Sequence, residues 1–102
     1  MTKKRMKRRV LEMPEIKQGN NKFYVGEEDN PTAEISYVPT GEKRFIADST
    51  YVSDEWRGQG VGKQLVERLV QHAREEGKLI IPQCPFTEKV MKENEEMQDV
   101  ME

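Results

Sequence analysis

Three glycines, Gly58, Gly60 and Gly62, fall within five positions of one loop. The loop follows a β-prone run that ends at Val52 and precedes an amphipathic helical pattern. The start of a helix presents unpaired backbone N–H groups and the positive end of the helix dipole, and glycines leave room for an anion to approach them. A plain tight turn needs only one glycine, so the spacing predicts a phosphate-binding loop.

Two common nucleotide-binding motifs do not fit this loop. A P-loop has four residues between its glycines, followed by Lys-Ser/Thr, whereas three residues separate Gly58 from Gly62 and Gln64 follows Lys63. A dinucleotide fingerprint that starts at Gly58 would require its third glycine at position 63, which is Lys63. The loop therefore predicts binding of a phosphate group through another type of cradle.

Cys84, the only cysteine of the chain, is the second candidate for chemistry. It directly precedes Pro85, a residue suited to the first position of a helix. A cysteine that caps a helix has a lowered thiol pKa and is a better nucleophile. The alternative is a small buried apolar residue at the end of a strand, and the sequence leaves both interpretations open.

The elements that position these residues begin with three β-prone runs over residues 23–25, 33–37 and 43–52. Turn residues separate them, which predicts an antiparallel meander. Strict alternation along the third run would place Phe45, Ala47, Ser49 and Tyr51 on one face of the sheet. Residues 1–21 are expected to be mostly irregular, with a short edge strand near 10–13.

Helical spacing of Val61, Leu65 and Leu69 predicts one long helix that ends at Gly77. A buried strand over residues 78–82 and a second helix from Pro85 follow. The order β-β-β-α-β-α defines an α+β fold, with a mixed, mainly antiparallel sheet of about four strands on which the helices pack. The domain is expected to span residues 22–97, and residues 98–102 to form an acidic tail.

Length and composition exclude several classes of protein. The 102 residues suffice for one domain. No apolar run approaches the roughly 20 residues of a membrane span, and one cysteine and one histidine, His72, are too few for an ordinary zinc site. Six of the first nine residues are basic, but no aromatic residue lies among them to stack on bases, so nucleic-acid binding is not expected. A lone thiol is typical of the reducing cytoplasm, which is the expected location.

Arg57-x-x-Gly60-x-Gly62 fits the (Gln/Arg)-x-x-Gly-x-(Gly/Ala) signature of the GNAT superfamily of N-acetyltransferases. The segment from Pro82 to Phe86 resembles the Pro-x-Cys-Pro-Phe segment of a small GNAT-like subfamily of about 100 residues. The chain resembles these proteins over about residues 22–97. The resemblance implies a minimal GNAT fold.

The resemblance also implies that acetyl-coenzyme A (acetyl-CoA) is the co-substrate and that no metal takes part. The pyrophosphate would lie on backbone N–H groups of residues 59–62, the pantetheine arm along residues 51–53, and the thioester between the two parallel strands. The cofactor-binding residues implied in this way are Tyr51, Val52, Ser53, Arg57, Gly58, Gln59, Gly60, Val61, Gly62 and Lys63.

Many GNAT enzymes protonate the departing thiolate with a tyrosine of the last helix, but no tyrosine follows Tyr51 here. Cys84 is the candidate that replaces it, either as the proton donor or as a transient acetyl carrier. Asp48 and Ser49 are further catalytic candidates, although the small relatives often carry a histidine where Ser49 stands.

Three functions are compared. The first is acetyl transfer to an amine, on a small molecule or a protein lysine, and the positioned Cys84 favours it. The second is an acetyl-CoA-binding module without catalysis, which the missing tyrosine favours. The third, nucleic-acid binding through residues 1–9, has little support. The sequence permits a monomer or a homodimer.

Overall fold

Short turns between β-prone runs build the sheet. The computed structural model describes residues 14–102. The five strands lie in the sheet in chain order. The first four pair antiparallel and the last two pair parallel. The strands are β1 Lys17–Gly19, β2 Lys22–Glu27, β3 Asn30–Thr40, β4 Arg44–Val52 and β5 Leu79–Pro82. The mixed, mainly antiparallel sheet confirms the predicted α+β class.

Strand β1 corrects the expected count of about four strands, because it comes from the stretch predicted to be mostly irregular. Asn20 and Asn21 form a two-residue turn between β1 and β2, and Asn21 adopts a positive φ of 62°. Tight hairpins favour asparagine at such positions. The edge strand predicted near residues 10–13 lies outside the described residues.

The two α-helices contact each other as well as the sheet, so they share one of its faces. The helical elements are α1 Val61–Glu76, α2 Pro85–Glu93 and two 3-10 segments, Asp54–Trp56 and Glu95–Val100. Helix α1 buries Leu65 and Leu69 and ends at Gly77, whose N–H donates to the carbonyls of Ala73 and Arg74. None of the helices within residues 14–102 is both long and apolar enough to cross a membrane.

The last residues of the chain belong to the fold, which corrects the predicted acidic tail over residues 98–102. Val100 is buried, and Met101 forms a parallel bridge with Ile80 of β5. The acidic side chains lie outside this contact, where Asp99 accepts hydrogen bonds from Arg74. Apolar residues at helical spacing thus dock the segment, although its charge suggested a solvated end.

A β-bulge in β4 overturns the predicted strict alternation. Ser36 of β3 pairs with Ser49, but the next residue of β3 pairs with Ala47, so Asp48 is the extra residue. Such an insertion moves all later side chains to the other face of the sheet. The helix-facing row therefore continues from Ala47 to Thr50 and Val52, instead of to Ser49 and Tyr51.

Candidate active site

The loop between β4 and α1 has a backbone that only glycine adopts easily. Gly58 and Gly60 have positive φ angles of 77° and 83°. A Cβ atom built on either residue would meet no atom within 4 Å. These two glycines are therefore required by the left-handed backbone and not by crowding.

Helix α1 begins with its N–H groups directed away from any protein acceptor. Gln64 is the first residue of the helix to donate, to the carbonyl of Gly60 at 3.1 Å. Among the described residues, no acceptor is found for the N–H groups of Gly60, Val61, Gly62 and Lys63. Four adjacent donors at the positive end of a 16-residue helix form a site for an anion.

Gln59 does not belong to this cradle, although it was expected to. Its N–H donates to the carbonyl of Trp56 at 3.3 Å, and its side-chain amide donates to the carbonyl of Glu55 at 2.9 Å. Both groups close the turn before the helix. The available donors therefore begin at Gly60, one residue later than predicted.

Gly62 has a different role from the other two glycines. A Cβ atom at Gly62 would lie 2.7 Å from Cζ and 2.9 Å from Cε2 of Phe86. The absence of a side chain lets the Phe86 ring rest directly on the first turn of α1. This contact joins the start of α1 to the start of α2.

A cavity of about 490 Å³ opens beside the cradle, a volume typical of cofactor sites. Arg57, Lys63 and Lys89 surround it with positive charge, and Glu93 opposes them. Arg57 also lies 3.4 Å from the exposed carboxylate of Asp54. The remaining lining residues are Thr50, Val52, Trp56, Gly58, Gly60, Val61, Gly62, Phe86 and Val90.

Helix α2 supplies lining residues that the sequence analysis missed. Phe86, Lys89, Val90 and Glu93 face the cavity. They recur at i, i+3, i+4 and i+7, which is the signature of one helix face. The helix predicted from Pro85 already contained this signal.

The free edge of β4 forms one wall of the site. Pairing of β4 with β5 ends at Ala47 and Pro82, so within residues 14–102 the rest of β4 has no strand neighbour on that side. Ser53 donates its N–H to the carbonyl of Thr32 at 2.8 Å, towards β3. Because the direction alternates along a strand, Tyr51 shares that direction, whereas the backbone groups of Thr50 and Val52 face the gap.

This geometry divides the residues that were predicted to hold the cofactor arm. Tyr51 and Ser53 have backbone groups directed towards β3, and the side chain of Tyr51 is exposed on the face away from the helices. Val52 lies in the cavity wall. Thr50, which was not among the predicted residues, lines the cavity beside it.

Cys84 lies behind this wall. It occupies the cap position of α2, and its N–H donates to the carbonyl of Ala47 at 3.1 Å. The side chain is 7% exposed, and its Sγ lies 3.4 Å from Oγ1 of Thr50, to which it donates. Thr50 Oγ1 is in turn 3.3 Å from Oγ1 of the fully buried Thr87.

The environment of Cys84 lowers the pKa of its thiol. Burial raises this pKa, but hydrogen bonds from the Thr50 hydroxyl, from the N–H groups of Thr87 and Phe86 and from the Thr87 hydroxyl stabilise the thiolate and outweigh burial. We therefore expect the thiol of Cys84 to be half ionised at a lower pH than the thiol of an unperturbed cysteine. Ultraviolet titration of the thiolate would test this, with Cys84→Ala subtracted as the blank. A midpoint at or above that of a free cysteine would contradict the prediction.

Gly62→Ala is expected to push the Phe86 ring into the cavity, because the new methyl group occupies the position of the ring. Overpacking of this kind costs about 1–3 kcal/mol, and because a ligand must push the ring back against this cost, its affinity for the cavity should fall about 5-fold to 160-fold. The measurement is calorimetric titration with acetyl-CoA. Phe86→Ala in the same chain should restore affinity, and failure to do so would show that the contact is unrelated to the site.

Two predicted catalytic residues, Asp48 and Ser49, do not line the cavity. Both are exposed, and the Ser49 hydroxyl pairs with the hydroxyl of Ser36 at 2.9 Å. His72 packs among aromatic rings and stacks on Phe45 with 5.4 Å between ring centroids. Within residues 14–102, no group of three metal-ligating side chains converges.

The sheet whose last two strands separate, together with a glycine cradle at the start of the following helix, defines an acyltransferase type of fold. Comparison with protein families matches residues 22–100 to the GCN5-related N-acetyltransferases. The chain belongs to this family, the GNAT superfamily that its loop resembled, and is therefore an enzyme of the N-acetyltransferase class.

Solved structures agree with this assignment. A GCN5-like candidate N-acetyltransferase from Staphylococcus aureus, determined by NMR, shares 46% identity over 86% of this chain and 87% of its own, with a TM-score of 0.75. A ribosomal-protein-alanine N-acetyltransferase from Brucella melitensis shares 22% identity over 74% of this chain and 57% of its own, with a TM-score of 0.51, which shows a common fold. Comparison with curated proteins gives no significant match.

Proposed function

We propose that this protein binds acetyl-CoA in the cavity between α1 and α2 and transfers the acetyl group to an amine. One observation carries the proposal: the unpaired N–H groups that begin α1 open into a cavity that also reaches the hydroxyl of Thr50, next to Cys84. A phosphate cradle and a candidate proton donor are thus joined by one continuous wall. No metal is part of the proposed reaction.

The diphosphate of acetyl-CoA binds the N–H groups from Gly60 to Lys63 in this proposal. Three positively charged side chains of the cavity, Arg57, Lys63 and Lys89, balance its charge. The amide groups of the pantetheine arm pair with the carbonyl of Thr50 and the N–H of Val52, as an added strand would, while the carbonyl of Val52 accepts from Nε of Arg57 at 3.5 Å. This arrangement brings the thioester to the point where β4 and β5 separate.

Acetyl transfer needs a neutral amine, polarisation of the thioester carbonyl and a proton for the departing thiolate. The N–H of Thr50, which the pantetheine arm leaves free, polarises the carbonyl. Cys84 supplies the proton that a tyrosine of the last helix supplies elsewhere in the superfamily. Its lowered thiol pKa makes it a stronger acid than an ordinary cysteine.

The alternative function is a module that binds acetyl-CoA without turnover. The burial of Cys84, which is only 7% exposed, favours this alternative because a buried sulfur cannot reach the acetyl group directly. Both functions require the same binding site. They differ in whether an amine product is formed.

Calorimetric titration with acetyl-CoA, followed by mass spectrometry of mixtures with primary amines, would test the proposal. The amines should include a lysine peptide, a polyamine and an amino acid amide. Binding together with an acetylated amine supports the enzyme, and binding without any product supports the module. If the protein does not bind acetyl-CoA, both proposed functions are wrong.

The acceptor is proposed as a small amine or a protein lysine. The assembly is proposed as a monomer or homodimer, and the location as the cytoplasm, where Cys84 would stay reduced. Nucleic-acid binding through the basic residues 1–9 is not proposed, and those residues lie outside the described part of the chain. Light scattering would determine the assembly.

A further inference from the structure

The hydroxyl of Thr50 stands between Cys84 and the cavity. Thr50 lines the cavity, whereas Cys84 does not. The thiol of Cys84 donates to Thr50 Oγ1 across 3.4 Å. A ligand in the cavity therefore meets the hydroxyl of Thr50 before it can meet the sulfur.

A hydrogen bond with Thr87 can orient the hydroxyl proton of Thr50. A hydroxyl group has one O–H donor and two acceptor lone pairs. Cys84 occupies one lone pair of Thr50 Oγ1, and Thr87 Oγ1, 3.3 Å away, can donate to the other. Thr87 is fully buried, which holds its hydroxyl in place. While Cys84 is a protonated thiol and Thr87 is the donor of its pair, both lone pairs of Thr50 Oγ1 are filled and the proton of Thr50 points into the cavity.

We propose that Thr50 delivers its hydroxyl proton to the departing coenzyme A thiolate and that Cys84 then gives its thiol proton to Thr50. This inference rests on the proposed acetyl transfer and assigns Thr50, which the sequence did not indicate, as a catalytic residue. Cys84 acts through Thr50 and is a proton source that does not carry the acetyl group.

The step balances as follows. The carbon–sulfur bond of the tetrahedral intermediate breaks, and its electron pair goes to the coenzyme A sulfur. That sulfur takes the hydroxyl proton of Thr50, while Thr50 Oγ1 takes the thiol proton of Cys84. The negative charge ends on Cys84, beside the N–H groups that begin α2. The attacking amine releases one proton to solvent, and Cys84 later takes one proton back from solvent, so the enzyme returns to its starting state.

Thr50→Val tests the relay, because valine keeps the shape of the side chain and removes the hydroxyl. We expect kcat to fall about 100-fold or more, with the KM for acetyl-CoA unchanged. Thr50→Ser should recover most of the rate. Thr40→Val is the matched control, since it removes an exposed hydroxyl at the end of β3, opposite Arg44 at the start of β4, and should leave kcat unchanged.

A second readout does not depend on turnover. Thr50→Val removes a hydrogen bond to the Cys84 thiolate, so ultraviolet titration should show a raised thiol pKa and less thiolate at a given pH below it. Thr50→Ser should titrate like the wild type. An unchanged midpoint in Thr50→Val would overturn the contact on which the relay depends.

Other outcomes separate the relay from the proposed function. If the wild type transfers acetyl and Thr50→Val transfers it equally fast, the relay is wrong and the function stands. An acetyl group found on Cys84 at the rate of turnover would also overturn the relay, because the cysteine would then be the carrier. If the wild type acetylates no amine, the proposed function fails and the relay with it.

Discussion

Gly60→Glu is expected to eliminate measurable binding of acetyl-CoA. Gly60 caps α1 with φ at 83° and contributes the first free N–H of the cradle. A glutamate strains this backbone and places a carboxylate where the diphosphate would lie. Loss of hydrogen bonds to a charged group costs about 1.5–3 kcal/mol each, so two lost bonds reduce affinity at least about 100-fold. Calorimetric titration measures the effect.

Gly41→Glu is the matched control for this change. Gly41 has a φ of 62° and no atom within 4 Å of an added Cβ, so the new side chain brings comparable strain and the same charge. The length of β4 places it roughly 30 Å from the loop. Gly41→Glu should bind acetyl-CoA as the wild type does. Equal loss of binding in both variants would mean that strain or net charge, rather than the cradle, controls affinity.

Cys84→Ala is expected to lower kcat for acetyl transfer about 100-fold to 10,000-fold, the usual range for loss of a general acid. The affinity for acetyl-CoA should stay the same, since Cys84 does not line the cavity. The rate of acetyl-amine formation at saturating acetyl-CoA is the measurement. A fall in kcat without a change in binding would separate the enzyme from the binding module.

Cys84→Ser controls for the loss of volume, because serine keeps the position and the size of the side chain. Its hydroxyl is a far weaker acid than a thiol, so the rate should stay low while the thermal stability returns towards that of the wild type. If Cys84→Ala transferred acetyl at the rate of the wild type, Cys84 would be a packing residue and another group would protonate the thiolate.

The glycine loop and α1 were predictable because their signals are local. Positive φ at Gly58 and Gly60 and the apolar row that includes Leu65 depend on nearby residues. The C-terminal segment was misjudged, because its charge dominated the pattern while Val100 was buried by contacts with elements far away in the chain. The loop was sufficient to identify the family, whereas the C-terminal end of the domain could be located only from the folded structure.

Strand β4 shows the limit of the sequence most clearly. Its residues predict a strand, but the bulge at Asp48 depends on the register with β3, which no local pattern records. One inserted residue turned Thr50 into the cavity and Tyr51 away from it.

The sequence by itself determined the class of fold, the glycine cradle and the place of Cys84 at the start of a helix, since each follows from spacing within a short stretch. Only the tertiary structure decided that Thr50 separates Cys84 from the cavity and that Phe86 rests on Gly62. These relations join residues 34 and 24 positions apart in the chain. They exist because the sheet pairing and the packing of α2 bring distant segments within contact distance.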